Sequence, residues 1–151
     1  MTGKFKQGHF VPKHPEKYKG NSSNIVFRSS YEYALMKFLD EQANVLEWSS
    51  EEKFIRYHNP VTRRVSRYFP DVIAKIKNKQ GIVENVMIEV KPKSKLVQPI
   101  KSPRGSEKSY HYNLMNYMVN MAKFEAADKY CNNHNMKFQI LTEDDLFGSN
   151  N

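Results

Sequence analysis

Apolar and polar residues follow first a helical period and then a strand period along this chain. Tyr31, Ala34, Leu35, Phe38 and Leu39 recur at helical spacing, which predicts a first helix opened by Ser29-Ser30-Tyr31-Glu32. Lys37, Asp40 and Glu41 then fall away from its buried face. Short strand-like runs follow at 45–48 and 53–57, with Trp48 expected in the core, and Asn59-Pro60 marks a turn. Arg64-Val65-Ser66-Arg67 leads into a strand over 68–73, and a second strand is predicted over 86–91. Between them the polar stretch 77–81 ends in Gly81 and reads as a hairpin turn. Pro92, Pro99, Pro103 and Gly105 exclude periodic structure across 92–109. A second long helix runs from about 110 to 132, with an apolar surface of Leu114, Tyr117, Met118, Met121 and Ala122. A last strand covers 136–141, before the acidic run Thr142-Glu143-Asp144-Asp145. The order helix, three strands, helix, strand (αβββαβ) implies an α/β domain with a mixed central sheet flanked by helices. Residues 1–28 show no period; lysines alternate with Phe5, Phe10, Tyr18 and Phe27, as in an extended arm that packs its aromatics on the body. The expected organisation is an N-terminal arm 1–28, one folded domain 29–147 with a long loop at 92–109, and a tail 148–151.

The predicted hairpin carries the chemistry. A turn centred near Gln80 pairs residues whose numbers sum to about 160, which sets Asp71 opposite Glu89, their Cβ atoms roughly 5 Å apart. Lys91 lies two residues beyond Glu89 and shares its face. Two carboxylates about 4 Å apart repel by roughly 4 kcal/mol at a near-surface dielectric. A hard divalent cation relieves that conflict, since Mg²⁺ favours carboxylate oxygens and retains its own waters. Such a cation acidifies water for attack on phosphorus, beside a lysine able to orient it. The plainer alternative is a surface hairpin in which Lys91 neutralises Glu89 and water solvates Asp71. Glu32 has two readings as well: a carboxylate looking into a cleft, or one half of the capping box Ser29-x-x-Glu32. Asn116, Asn120 and Lys123 form a polar stripe on the second helix, either solvated or facing a phosphate.

Charge narrows the partner. The 151 residues carry a formal net charge of +8, and five scattered histidines with one cysteine, Cys131, offer no zinc spacing. Residues 1–28 and 91–111 each hold six Lys/Arg against one Glu, so the basic character belongs to two segments, not to the remaining body. Segments of this kind contact polyanions, nucleic acid first among them. Lys93, Lys95, Lys101, Arg104 and Lys108 of the long loop are the candidate phosphate contacts. Arg67 is a further candidate, beside Arg63 and Arg64, against the reading of ordinary exposed strand arginines. A mean hydropathy of −0.75 with no long apolar run predicts a soluble chain with no membrane contact, and the lone cysteine favours a reducing compartment.

Taken together, Pro70-Asp71, Glu89-Val90-Lys91 and the preceding Glu32 resemble the PD-(D/E)XK nuclease superfamily, with its restriction-endonuclease-like fold. More narrowly, four stretches are similar to the head completion nucleases of T-even-like tailed bacteriophages. They are residues 28–32, residues 45–52, Arg67-Tyr68-Phe69-Pro70-Asp71 and Ile88-Glu89-Val90-Lys91-Pro92, with Tyr18-Lys19-Gly20 in addition. The resemblance implies a Mg²⁺-dependent DNA endonuclease, Mn²⁺ substituting, that acts on DNA at the packaged phage head. It makes Asp71, Glu89 and Glu32 the metal carboxylates and Lys91 the residue that positions the attacking water. Asn120 and Lys123 are candidate second-helix contributors. Expected partners are DNA, through its backbone phosphates, and head or portal-vertex and neck proteins; a second copy of the chain is a further candidate. The expected setting is the cytoplasm of the infected host, or the virion. The alternatives are a catalytically idle DNA-binding assembly protein and a repair or junction-resolving nuclease with the same site.

Overall fold

A computed structural model of the chain describes residues 7–51 and 53–148. Its centre is a four-stranded mixed sheet in the order β3 (Val45–Ser50), β6 (Val72–Lys77), β7 (Val83–Val90), β8 (Lys137–Leu141). The first three strands are antiparallel, and β8 runs parallel to β7 after the crossover helix α2 (Glu107–Asn133). Helix α1 (Ser30–Glu41) precedes β3, and the short helix α3 (Glu143–Phe147) follows β8. Two small antiparallel pairs lie outside this sheet: β1 (Gly8–Phe10) with β2 (Ile25–Phe27), and β4 (Ile55–His58) with β5 (Val65–Tyr68). Among the described residues no helix is long and apolar enough to cross a membrane.

Each face of the sheet has its own core. Ala74, Val86, Ile88 and Val90 pack with Leu35, Met36 and Leu39 of α1 and with Phe10, Tyr18, Phe27 and Trp48. Met87, with Ile73 beside it, joins Ile55, Tyr57 and Tyr68 of the β4–β5 hairpin and Ala127 and Cys131 of α2. Residues 86–90 are therefore buried without interruption, as a strand covered on both sides must be. Cys131 lies inside the second core, its Sγ 3.8 Å from Met87 Sδ, and burial pushes its thiol up to about 11.

The β6–β7 register follows the turn chemistry. Val72 pairs Ile88 and Lys77 pairs Val83, the register expected of a turn near Gln80. Asn78 Oδ1 accepts from the N–H groups of Gln80 (2.9 Å) and Ile82 (3.0 Å), and Gly81 takes φ 81°, where glycine has no Cβ to clash. The strand expected over 68–73 is in fact broken. Tyr68 ends β5, Val72 begins β6, and Pro70, which has no N–H to offer a ladder, occupies the corner.

Other expectations are corrected. Phe38 is 50% exposed, whereas Met36 and Asp40 are buried in its stead. The reason is the N-terminal segment, which has regular structure in β1, β2 and a 3-10 turn (Pro15–Lys17) and lies along α1. Asp40 accepts from the N–H groups of Lys13 (2.8 Å) and His14 (3.0 Å), so its carboxylate is turned inward by backbone donors. Phe5 lies outside the described residues. Helix α2 starts at Glu107, three residues early, and its deep face is Phe124, Ala127 and Cys131; Met118 is 41% exposed. At 1.5 Å per residue α2 is about 40 Å long, more than twice the roughly 17 Å of β8, so its first turns have no sheet to cover. Residues 93–96 form a 3-10 turn inside the long loop, and the acidic run after β8 begins α3 through a capping box between Thr142 and Asp145.

Asp40 tests the role of the N-terminal segment. Asp40→Ala leaves two buried N–H donors unpaired and is expected to cost about 2–3 kcal/mol in chemical denaturation. A loss below about 0.5 kcal/mol would mean that the segment is not held through this residue.

Candidate active site

The end of β3, the start of β6 and the first turn of α1 bring acidic side chains together at one end of the sheet. Asp71 stands at the corner between β5 and β6, and its Oδ2 accepts from Val90 N–H at 2.8 Å, which ties the corner to the end of β7. Glu51 follows the last residue of β3, and its N–H donates to Asp71 O at 3.2 Å. Glu51 has φ 54°, a left-handed conformation that costs a non-glycine residue on the order of 1 kcal/mol and recurs at functional sites. Glu32 enters from the first turn of α1. Ser29 Oγ accepts from Glu32 N–H (3.1 Å), while Glu32 Oε1 accepts from Arg28 N–H (2.9 Å). Ser29 Oγ thus caps the helix, while the Glu32 carboxylate, bonded to Arg28 rather than to the Ser29 N–H, leaves the expected capping box open and joins the acidic group. One carboxylate oxygen from each of Glu32, Glu51 and Asp71 lies within 4.8 Å of the others, and all three residues are half-buried.

Glu89 and Lys91 flank this group. Glu89 is 6% exposed and accepts a 2.5 Å hydrogen bond from the Tyr68 hydroxyl; Lys91 Nζ lies 3.9 Å from its other oxygen. In β7, Glu89 alternates with Ile88 and Val90 and so shares the face of Met87, against the hairpin and α2. Lys123 reaches the same place from α2, its Nζ 5.6 Å from the centre of the Tyr68 ring and 5.9 Å from that of Tyr57. Asn120 is directed elsewhere: with Asn116, Tyr117 and Lys95 it lines a cavity of about 370 Å³ under the long loop.

Electrostatics follow from burying so many acids. The Asp71 carboxyl is pushed up to about 8 by burial, then by Glu89 and Glu32, against the opposing pull of the Val90 N–H and Lys91. Glu89 is raised by burial, though Tyr68, Lys91 and Lys123 favour its charged form. Glu32 is raised by burial and by Glu51, against the Arg28 N–H. Lys123 is lowered by burial and by Lys91. Tyr68 is raised by burial and by Glu89, so it remains a donor. Arg28, whose guanidinium pairs with Glu51, is raised by that contact. Burial thus raises Asp71, Glu89 and Glu32 alike, against the pull of the cations beside them. Three hard oxygen donors with a charge deficit suit a divalent cation such as Mg²⁺.

Among the predicted phosphate contacts, Lys95, Arg104 and Lys108 are exposed and make no ion pair among the described residues. Lys93 is engaged with α3, its Nζ 2.6 Å from Asp144 and its N–H on Glu143, and Lys101 Nζ donates to Gly105 O at 3.1 Å. Arg67 is stacked 5.2 Å from the Phe54 ring. In the N-terminal segment, Lys13 pairs with Glu41, Lys19 lies 4.0 Å from Glu47, and Lys17 Nζ donates to the carbonyls of Asp40 and Gln42. Glu51 and Tyr68 were not assigned to the site from sequence. The Glu51-Glu52 pair after a strand was the available signal, but it does not reveal that β3 borders β6.

The mixed central sheet with its flanking helices is consistent with a nuclease fold. Residues 42–143 match the TnsA-like endonuclease N terminal family, a stretch that includes Glu51, Asp71, Glu89, Lys91 and Lys123. The chain belongs to that endonuclease family. It is also 32% identical over 142 residues to the head completion nuclease of Enterobacteria phage T4, covering 92% of each chain, and so is a relative of that protein.

The raised Asp71 gives a signed pH dependence. Its folded value of about 8 exceeds an unfolded value near 3.9, so between them the native state binds more protons and stability falls as pH rises. In metal-free protein, Asp71→Asn should therefore gain on the wild type from pH 5 to pH 8, by about 1–3 kcal/mol in urea titrations. Parallel stability curves for the two proteins would contradict the raised carboxyl.

Proposed function

We propose that the chain is a Mg²⁺-dependent DNA endonuclease built on the PD-(D/E)XK plan, with its site at the corner of β3, β6 and β7. The observation that carries this is the convergence of Glu32, Glu51 and Asp71 within 4.8 Å, next to Glu89 and Lys91. Glu32, Asp71 and Glu51 would hold the cation, with Glu89 beside them as a further ligand. When bound, the cation supplies positive charge to a phosphoryl oxygen and acidifies water at neutral pH. The protein's own groups do the rest. Lys91, kept beside Glu89, orients the attacking water towards phosphorus; one bridging P–O bond breaks as the new P–O bond forms. Tyr68 holds Glu89 in place through its hydroxyl, and Lys123 adds positive charge where the phosphate enters. Exposed Lys95, Arg104 and Lys108 take backbone phosphates without reading sequence. The similarity to a head completion nuclease supports action on phage DNA at the packaged head in the infected host, before tail joining.

Asp71→Asn should lower Mg²⁺- or Mn²⁺-supported cleavage of plasmid DNA at least ~100-fold while DNA affinity is kept. Glu51→Gln should lower it by at least ~10-fold and raise the Mg²⁺ concentration needed for half-maximal rate. Full activity in Asp71→Asn would take the active site away from this corner, and a wild type that cleaves no DNA form would leave a DNA-binding assembly protein as the reading. Separately, replacing Lys95, Arg104 and Lys108 by Ala should flatten the salt slope of DNA binding by about 2–3, as measured by anisotropy. An unchanged slope would remove the loop from the DNA path.

A further inference from the structure

The outward face of the β4–β5 hairpin has a composition that the nuclease chemistry leaves unexplained. Arg56 and Arg67 are direct cross-strand partners, a like-charge pairing that ordinarily destabilises a sheet. Both guanidiniums lie over one ring, Phe54, at 5.6 and 5.2 Å from its centre. The Phe54 ring packs against Phe69 at 5.5 Å, and both phenylalanines stay exposed, at 38% and 45%. Neither arginine makes an ion pair among the described residues. An exposed pair of phenyl rings is poorly hydrated, and two cations on it with no ion-pair partner among the described residues suit an anionic partner with a flat apolar part.

The patch adjoins the carboxylates. Phe69 is two residues before Asp71, and Phe54 is three after Glu51, which itself is bonded to Asp71. Only Pro70 separates Phe69 from Asp71, so their Cα atoms lie within about 7 Å, a span one nucleotide covers. Tyr68, between Arg67 and Phe69, points the other way and holds Glu89. The hairpin therefore presents rings and guanidiniums outward from the same few residues that position the site inward.

We infer that this face is a subsite for an unpaired nucleotide of DNA, its base stacked on Phe54 and Phe69 and its flanking phosphates on Arg56 and Arg67. The inference rests on the nuclease reading and adds the substrate class: DNA with an unstacked base beside the scissile phosphate, at an end, flap or junction. Stacking on aromatic side chains tolerates any base, because every base has a π face. In a continuous duplex the base is already stacked on its neighbours and cannot use the rings.

The test separates bases from phosphates. A twelve-nucleotide oligothymidylate and the same backbone with abasic sites are titrated in EDTA, where cleavage cannot intervene, by fluorescence anisotropy. The abasic strand is expected to bind about 10-fold more weakly to the wild type. Phe54→Leu, which keeps an apolar side chain, should bring oligothymidylate to the abasic level and leave abasic binding unchanged; Phe54→Tyr should restore the difference. Arg67→Gln should weaken both strands equally and lower the salt slope by about one. Equal affinity of the two strands for the wild type would overturn the subsite, as would a Phe54→Leu loss shared by both strands. Failure of the nuclease reading looks different: no cleavage with Mg²⁺ or Mn²⁺, while the base-dependent affinity persists and still supports the subsite.

Discussion

The interaction on which the site depends is the hydrogen bond from Val90 N–H to Asp71 Oδ2. It joins the corner after Pro70 to the end of β7, where Glu89 and Lys91 stand on either side of Val90. Without such a donor, two carboxyl groups at close range would separate, since their repulsion reaches about 4 kcal/mol at 4 Å and an effective dielectric of 20. The same corner receives the Glu51 N–H on its carbonyl, so one backbone donor just past β3 and one at the end of β7 hold one aspartate from both sides. Backbone bonds resist rotation as side-chain pairs do not, and the acidic groups stay together at the expense of raised carboxyl pKa values.

The sheet makes that corner rigid because neither face is free. Ala74, Val86, Ile88 and Val90 are locked by α1 and the N-terminal aromatics, while Met87 is locked by α2 and the β4–β5 hairpin. Glu89 sits in the second of these cores and is tolerated there because Tyr68, Lys91 and Lys123 surround it. The hairpin does two jobs as a result. Its inner residues Tyr57 and Tyr68 close the core and steady Glu89, and its outer residues are exposed beside the cleft.

Much of this was legible locally. Asn78 and Gly81 specify a tight turn, and a turn plus strict alternation specifies which side chains share a face; hence the pairing of Val72 with Ile88 and the common side of Glu89 and Lys91. Ser29 and Glu32 announce a helix start. Less legible were residues whose environment comes from distant chain. Asp40 reads as a solvated helix acid until Lys13 and His14 cross it, and Phe38 reads as core although the fold leaves it half-exposed. Lys93 reads as a free phosphate contact until α3, itself unforeseen, sets Asp144 and Glu143 against it.

By itself, then, the sequence determined what depends on neighbours a few residues apart: periods, turns, caps, and the register that sets Val72 opposite Ile88 across one hairpin. Tertiary structure alone decided which separate segments meet: that β3 lies beside β6 and brings Glu51 to Asp71, that Tyr68 reaches Glu89, and that Lys123 faces the cleft while Asn120 does not. The physical reason is chain connectivity. Local rules act through bonded geometry with periods of two or 3.6 residues, whereas contacts across 20 to 90 residues are selected by the packing of whole faces, which no short stretch encodes.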